Sequence, residues 1–163
     1  MATEATPDFV TLLTEEHHAI DRDVDAFIDQ LGRGDVALDS LNKALEALRR
    51  HIYLEEIYLF PPIQRAGLMM PVQVMMIEHG ELWRTMDRID RLVADLDAPG
   101  ARDELLATCD QLTQELDRHN SKEEPVIYPR AETDLDPDTA ADLADFLING
   151  TMPEGWACRL AAA

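Results

Sequence analysis

The chain has 163 residues, 46% hydrophobic and 29% charged, a composition that suits one soluble globular domain with an ordinary core. Its 33 acids against 14 Lys and Arg leave a formal net charge of −19, which repels polyphosphate and argues against a nucleic-acid partner. Aromatics at 6% and only 7 Gly speak against a β-sandwich, no apolar run of about 18 residues exists to span a bilayer, and two Cys cannot build a disulfide framework. The polar N-terminus lacks the basic and apolar regions of a leader, so a reduced, cytoplasmic protein is expected.

Four long segments carry helical periodicity. The first opens at Thr6-Pro7-Asp8, with Thr6 as cap and Pro7 at the first helical position, and Gly32-Arg33-Gly34 stops it. Its stripe is Val10, Leu13, His17, Ile20, Val24, Phe27 and Leu31. The second starts near Asp35, carries Leu38, Leu41, Leu45, Leu48 and Ile52, and is expected to end at Phe60-Pro61-Pro62, where donors run out. The third begins near Pro71 and runs through Val72, Met75, Met76, His79, Leu82, Trp83, Met86, Ile89, Val93 and Leu96 to the Asp97–Gly100 break. The fourth carries Leu105, Cys109, Leu112, Leu116, His119 and Glu123 and is expected to end at Glu124-Pro125.

Short connections between four long helices predict an all-α, antiparallel up-down-up-down bundle over residues 1–132. A shorter fifth helix follows, capped by Asp136, opened by Pro137 and ended by Asn149-Gly150. Residues 133–163, this helix and an aperiodic tail, are expected to pack on the outside of the bundle and to offer the surface for a homodimer or protein partner.

An internal repeat carries the chemistry. Glu16-His17-His18-Ala19-Ile20 in the first helix matches Glu78-His79-Gly80-Glu81-Leu82 in the third. His51-Ile52-Tyr53-Leu54-Glu55-Glu56 in the second, with Pro61 ten residues after its His, matches His119-Asn120-Ser121-Lys122-Glu123-Glu124 in the fourth, with Pro129 at the same spacing. Residues i and i+4 share a helix face, so each half presents an imidazole beside a carboxylate. His17 and His79 fall on apolar stripes, and so do the His51/Glu55 and His119/Glu123 pairs. A single core His is usually packing, and a single His-x-x-x-Glu is usually a surface pair. Four inward His with two inward Glu need a cation, because buried carboxylates are otherwise penalised. Mixed imidazole and carboxylate donors suit iron, manganese or zinc, and a shared Glu55 and Glu123 would leave each of two ions an open position, which favours a redox pair over zinc.

Neighbouring residues read differently. His18 lies off the apolar face and is expected in solvent, while Glu56 and Glu124, one step past the ligand face, are expected at the surface or just outside the site. Tyr58 shares the face of His51 and is expected to be a core Tyr. The Met residues at 69, 70, 75, 76 and 86 read as packing. Cys109 reads as a small buried hydrophobe and Cys158 as the exposed thiol.

The pattern His17, His51-x-x-x-Glu55, His79, His119-x-x-x-Glu123 resembles the hemerythrin-like, HHE cation-binding family of non-haem di-iron proteins over roughly residues 8 to 130. The resemblance implies a left-handed four-helix bundle and a bridged di-iron centre, with His17 and His51 on one iron, His79 and His119 on the other, and Glu55 and Glu123 bridging. Oxygen carriers of the family have a fifth His four residues from the one matching His79, where this chain has Met75 and Trp83. Both irons would then be open, which suits binding of O2, NO or peroxide for sensing or scavenging better than simple O2 carriage. The alternatives are a catalase- or peroxidase-like enzyme, or an iron donor of the kind that repairs iron–sulfur clusters; repair proteins carry a further N-terminal cysteine-bearing domain, which is not expected here.

Overall fold

The computed structural model describes residues 7–162. Helix α1 spans Phe9–Gly32, α2 Asp39–Leu54, α3 Phe60–Arg65, α4 Met69–Ala94, α5 Ala101–Val126, α6 Ala131–Asp134 and α7 Pro137–Asn149. No strand occurs among the described residues. No described helix is long and apolar enough to cross a membrane.

The long helices α1, α2, α4 and α5 form the bundle, with α1 packed on α2 and α5, and α4 on α5 and α2. Their direction follows from the core. One apolar cluster joins the start of α1 (Phe9, Leu13) to Leu59, Phe60 and Ile63 after α2, the start of α4 (Val72, Met75), and Ile127 and Tyr128 after α5. A second joins the rest of α1 (Ile20–Leu31) to the body of α2 (Leu41–Ile52), the second half of α4 (Leu82–Ile89) and the first half of α5 (Leu105–Leu116). Starts therefore meet ends, and successive long helices run antiparallel. His17, His51, Glu55, His79, His119 and Glu123 lie between the two clusters as one polar layer, each 3% exposed or less.

Several helix ends differ from the sequence expectation. Asp8 caps α1, accepting from the Thr11 N–H at 3.1 Å; Thr6 lies outside the described residues. The second helix starts at Asp39 rather than near Asp35, and the third starts at Met69 and ends at Ala94, short of Leu96. Pro61 and Pro62 do not end the second helix. A π-turn over Glu55–Leu59 intervenes, closed by the Phe60 N–H to the Glu55 carbonyl, and helix resumes through both prolines to Arg65. A π-turn widens the coil, so the absent proline donors and the clash of their rings with the preceding turn cost less here. Pro125 likewise lies inside α5, which ends at Val126 with Ile127 still bonding the Glu123 carbonyl at 2.9 Å. Gly100, at φ +77°, supplies the left-handed turn into α5 that an L side chain resists.

Asp136 caps α7 as the sequence indicates, accepting from Thr139 N–H at 2.7 Å. The other end of α7 is capped from the bundle: Arg50 donates to the carbonyls of Phe146, Leu147 and Gly150 at 2.6, 3.2 and 3.0 Å. A guanidinium at this negative helix end is favourable. Phe146 packs on Tyr53 and Tyr58, and Trp156 of the tail packs on Tyr53 and Trp83.

Candidate metal centre

The six residues singled out by the repeat converge in two groups, His17, His51, Glu55 and Glu123 in one and Glu55, His79, His119 and Glu123 in the other. Glu55 and Glu123 belong to both. In the first group Glu55 Oε2 lies 3.3 Å from His51 Nε2, and Glu123 Oε1 lies 3.3 Å from His17 Nε2. In the second, Glu55 Oε1 lies 3.2 Å from His79 Nε2, and Glu123 Oε2 lies 3.3 Å from His119 Nε2. Each carboxylate thus turns one oxygen to each group. The i, i+4 spacing delivers His51 with Glu55 and His119 with Glu123, and antiparallel packing brings the other two histidines opposite them.

Every imidazole is held from behind by a carboxylate on another helix. Glu16 accepts from His51 Nδ1 at 2.8 Å, Glu56 from His79 Nδ1 at 2.7 Å, Glu78 from His119 Nδ1 at 3.1 Å and Glu124 from His17 Nδ1 at 3.1 Å. The repeat explains the exchange: the Glu before each single His serves the His of the next helix, and the Glu after each paired Glu serves a single His. An ionised carboxylate can only accept, so these bonds place a hydrogen on Nδ1 and turn Nε2 inward, where it can take up a proton or a metal ion. The same outer carboxylate raises the basicity of the imidazole it orients. Glu16 is further tied to Arg50, Glu78 to Lys122, and Glu56 accepts from the backbone N–H of Arg159 at 3.0 Å, so the tail touches the support of His79.

The interior is therefore crowded with buried acceptor atoms. Glu55 Oε1, Glu123 Oε2 and His79 Nε2 are buried without a hydrogen-bond partner. Orphaned buried acceptors of this kind carry a full desolvation penalty unless a cation sits among them. The electrostatics agree. Burial pushes the His119 imidazole down, but Glu123, Glu78 and Glu55 overcome it and raise it to about 10. His51 is raised well above its usual value against the same burial, by Glu55 and Glu16. Burial pushes Glu123 up, yet His119 and His17 hold it well below the usual carboxylate range. A site that draws protons onto imidazole nitrogens attracts a metal cation for the same reason, and nitrogen with carboxylate oxygen is a donor set that iron accepts.

Two expectations are corrected here. Cys158 is buried, 4% exposed, and its thiol is pushed up to about 12 by burial and the charge of Glu56. Tyr58, expected in the core, is half-buried at the α7 contact with Tyr53 and Phe146 and lies outside the site. Tyr128 reaches it instead. Its fully buried hydroxyl lies 2.7 Å from His17 Nε2, 3.0 Å from His51 Nε2, 2.8 Å from Glu55 Oε2 and 2.9 Å from Glu123 Oε1. Burial and the charges of Glu123 and Glu55 hold its phenol proton well above the usual range. A signal for Tyr128 lay in the repeat, since it stands immediately before Pro129 as Phe60 stands before Pro61. His18 is exposed, and Glu56 and Glu124 are the outer carboxylates just described.

Comparison with known proteins reaches the same place. The chain is 32% identical over 92 residues to the iron-sulfur cluster repair protein DnrN of Neisseria gonorrhoeae, an alignment over 52% of this chain and 59% of that protein. The chain thus spans less than two thirds of this curated relative. No solved structure matches it. The hemerythrin HHE cation binding domain matches residues 8–131, which hold all four long helices, both His/Glu groups and Tyr128, and the chain belongs to that family.

Proposed function

We propose that this is a non-haem di-iron protein that binds a small oxidant, O2, NO or peroxide, for sensing or scavenging. The observation that carries the reading is the pair of four-donor groups sharing both Glu55 and Glu123. His17 and His51 would hold one ion and His79 and His119 the other, with the two carboxylates spanning both. Bound iron would supply Lewis acidity and a store of electrons.

The surrounding residues favour binding over turnover. Phe60 stacks on His79 with ring centroids 5.2 Å apart, and the apolar clusters above and below the layer exclude water. Glu56 and Glu78, the carboxylates behind His79 and His119, are engaged outward with Nδ1 atoms and are not placed to relay a proton to the second group, as a peroxidase would need. A surface cavity of about 210 Å³ is lined in part by Phe60, which stacks on His79.

The test is iron per chain after anaerobic loading with ferrous iron, followed by optical titration with NO and peroxide. Two irons and a stable adduct support the reading; gas evolution with rapid recovery of the starting spectrum would favour the enzyme, and one zinc or no metal would refute the iron assignment. Iron donation in cluster repair is the second reading, supported by the similarity to the Neisseria repair protein. Transfer of iron from the loaded chain to an apo iron–sulfur protein, faster than from a chelate of equal affinity, would favour it.

A further inference from the structure

The two groups are alike in ligands but unlike in what caps them. The repeat places an aromatic residue nine positions after each paired His, Phe60 after His51 and Tyr128 after His119, each followed by Pro. Both rings lie against a single His of the other half: Phe60 on His79 at 5.2 Å and 21°, Tyr128 on His17 at 5.4 Å and 31°. One member of this pair has a hydroxyl and the other does not. The hydroxyl of Tyr128 is equidistant, within 2.7 to 3.0 Å, from all four donor atoms of the first group. Nothing corresponding fills the second group, where three donor atoms stay unpartnered.

Ordinary hydrogen bonding does not account for every contact of Tyr128. A phenol has one hydrogen, yet it faces two carboxylate oxygens, which only accept, and all four atoms around it are donors of one metal-capable group. Donors on one octahedral ion about 2.1 Å from the metal stand about 3 Å apart as neighbours, which is the separation found around Tyr128 Oη.

We infer that Tyr128 is a ligand to the ion of the His17/His51 group alone. This rests on the di-iron reading above. On loading, the phenol O–H bond breaks, its proton leaves to solvent and an oxygen–metal bond forms; no electron is transferred. The centre is then unsymmetrical. The His17/His51 ion gains a fifth protein donor, and the His79/His119 ion, capped only by the ring of Phe60, is where an exogenous ligand enters.

The test uses the full chain, Tyr128→Phe and Phe60→Tyr, each loaded with ferrous iron and then oxidised, with iron counted in every sample. Wild type should show a tyrosinate-to-iron(III) charge-transfer absorption in the visible, with resonance-enhanced phenolate vibrations. Tyr128→Phe should lose both signals while keeping iron. Phe60→Tyr should about double the absorption and lose affinity for azide, which wild type binds once per chain. Two irons per wild-type chain without the tyrosinate signal would overturn the inference and leave the di-iron reading intact. A wild-type chain that takes up no iron would overturn both.

Discussion

The outer carboxylates offer a graded test. Glu56 and Glu124 are sequence equivalents in the two halves, each bonded to the Nδ1 of one His, yet their settings differ. The Glu56 side chain is 4% exposed and its bond to His79 is 2.7 Å; Glu124 is 31% exposed and its bond to His17 is 3.1 Å. Removing such a partner costs about 10–100-fold in metal affinity, or about 1.4–2.7 kcal/mol. Water can replace Glu124 but has little access at Glu56, so Glu56→Ala belongs near the upper end and Glu124→Ala at or below the lower. Titration with Co²⁺ against a competing chelator, followed by absorbance, reads both ions without redox change. Glu56→Ala should weaken the ion on His79 and His119 and spare the other. Equal losses in the two variants, or loss of the His17/His51 ion on removing Glu56, would refute the reasoning.

Three further outcomes follow from the same geometry. Glu55 supplies an oxygen to each group, so Glu55→Ala should reduce uptake from two irons towards none, whereas His119→Ala, which touches one group, should retain the other ion; metal analysis of the two variants separates these cases. A Cβ at Gly80 would come within 2.5 Å of the Leu160 carbonyl oxygen, so Gly80→Ala should displace the tail from α4, shift Trp156 fluorescence to the red and expose the tail to protease, with far-UV circular dichroism unchanged. Burial raises both thiols, Cys109 and Cys158, to about 12. A raised thiol yields less thiolate at a given pH, so at pH 8 both should alkylate roughly a thousandfold more slowly than in urea, as mass spectrometry would read; fast labelling of native Cys158 would contradict the packing of the tail.

The four long helices, most of their stripe positions and the layer of His and Glu could be read from periodicity because each is a property of residues three, four or seven apart on one helix, although Phe9 rather than Val10 is buried at the start of α1. The Asp136 cap and the Asn149-Gly150 stop are local for the same reason. Pro61 and Pro125 misled the reading because helix termination is a competition: a proline removes a donor and crowds the preceding turn, but packing of Phe60, Ile63 and Ile127 into the core holds the chain helical past both. The π-turn at Glu55 is the compromise, and EEIYL carries no periodicity that would announce it.

By itself the sequence determined which side chains could share a face and hence that two imidazole–carboxylate pairs and two further imidazoles belong to one interior layer. Only the packing of the helices decided how they meet: that Glu16 and Glu78 reach across to His51 and His119, that Glu56 and Glu124 support His79 and His17, and that each shared carboxylate turns one oxygen to each group. It also decided that Tyr128 enters the site and that Cys158 turns from the tail into the core. The physical reason is one of range. Helical periodicity fixes direction within about one turn, while contacts between residues many tens of positions apart depend on the rotation and register of whole helices, which the packed core alone sets.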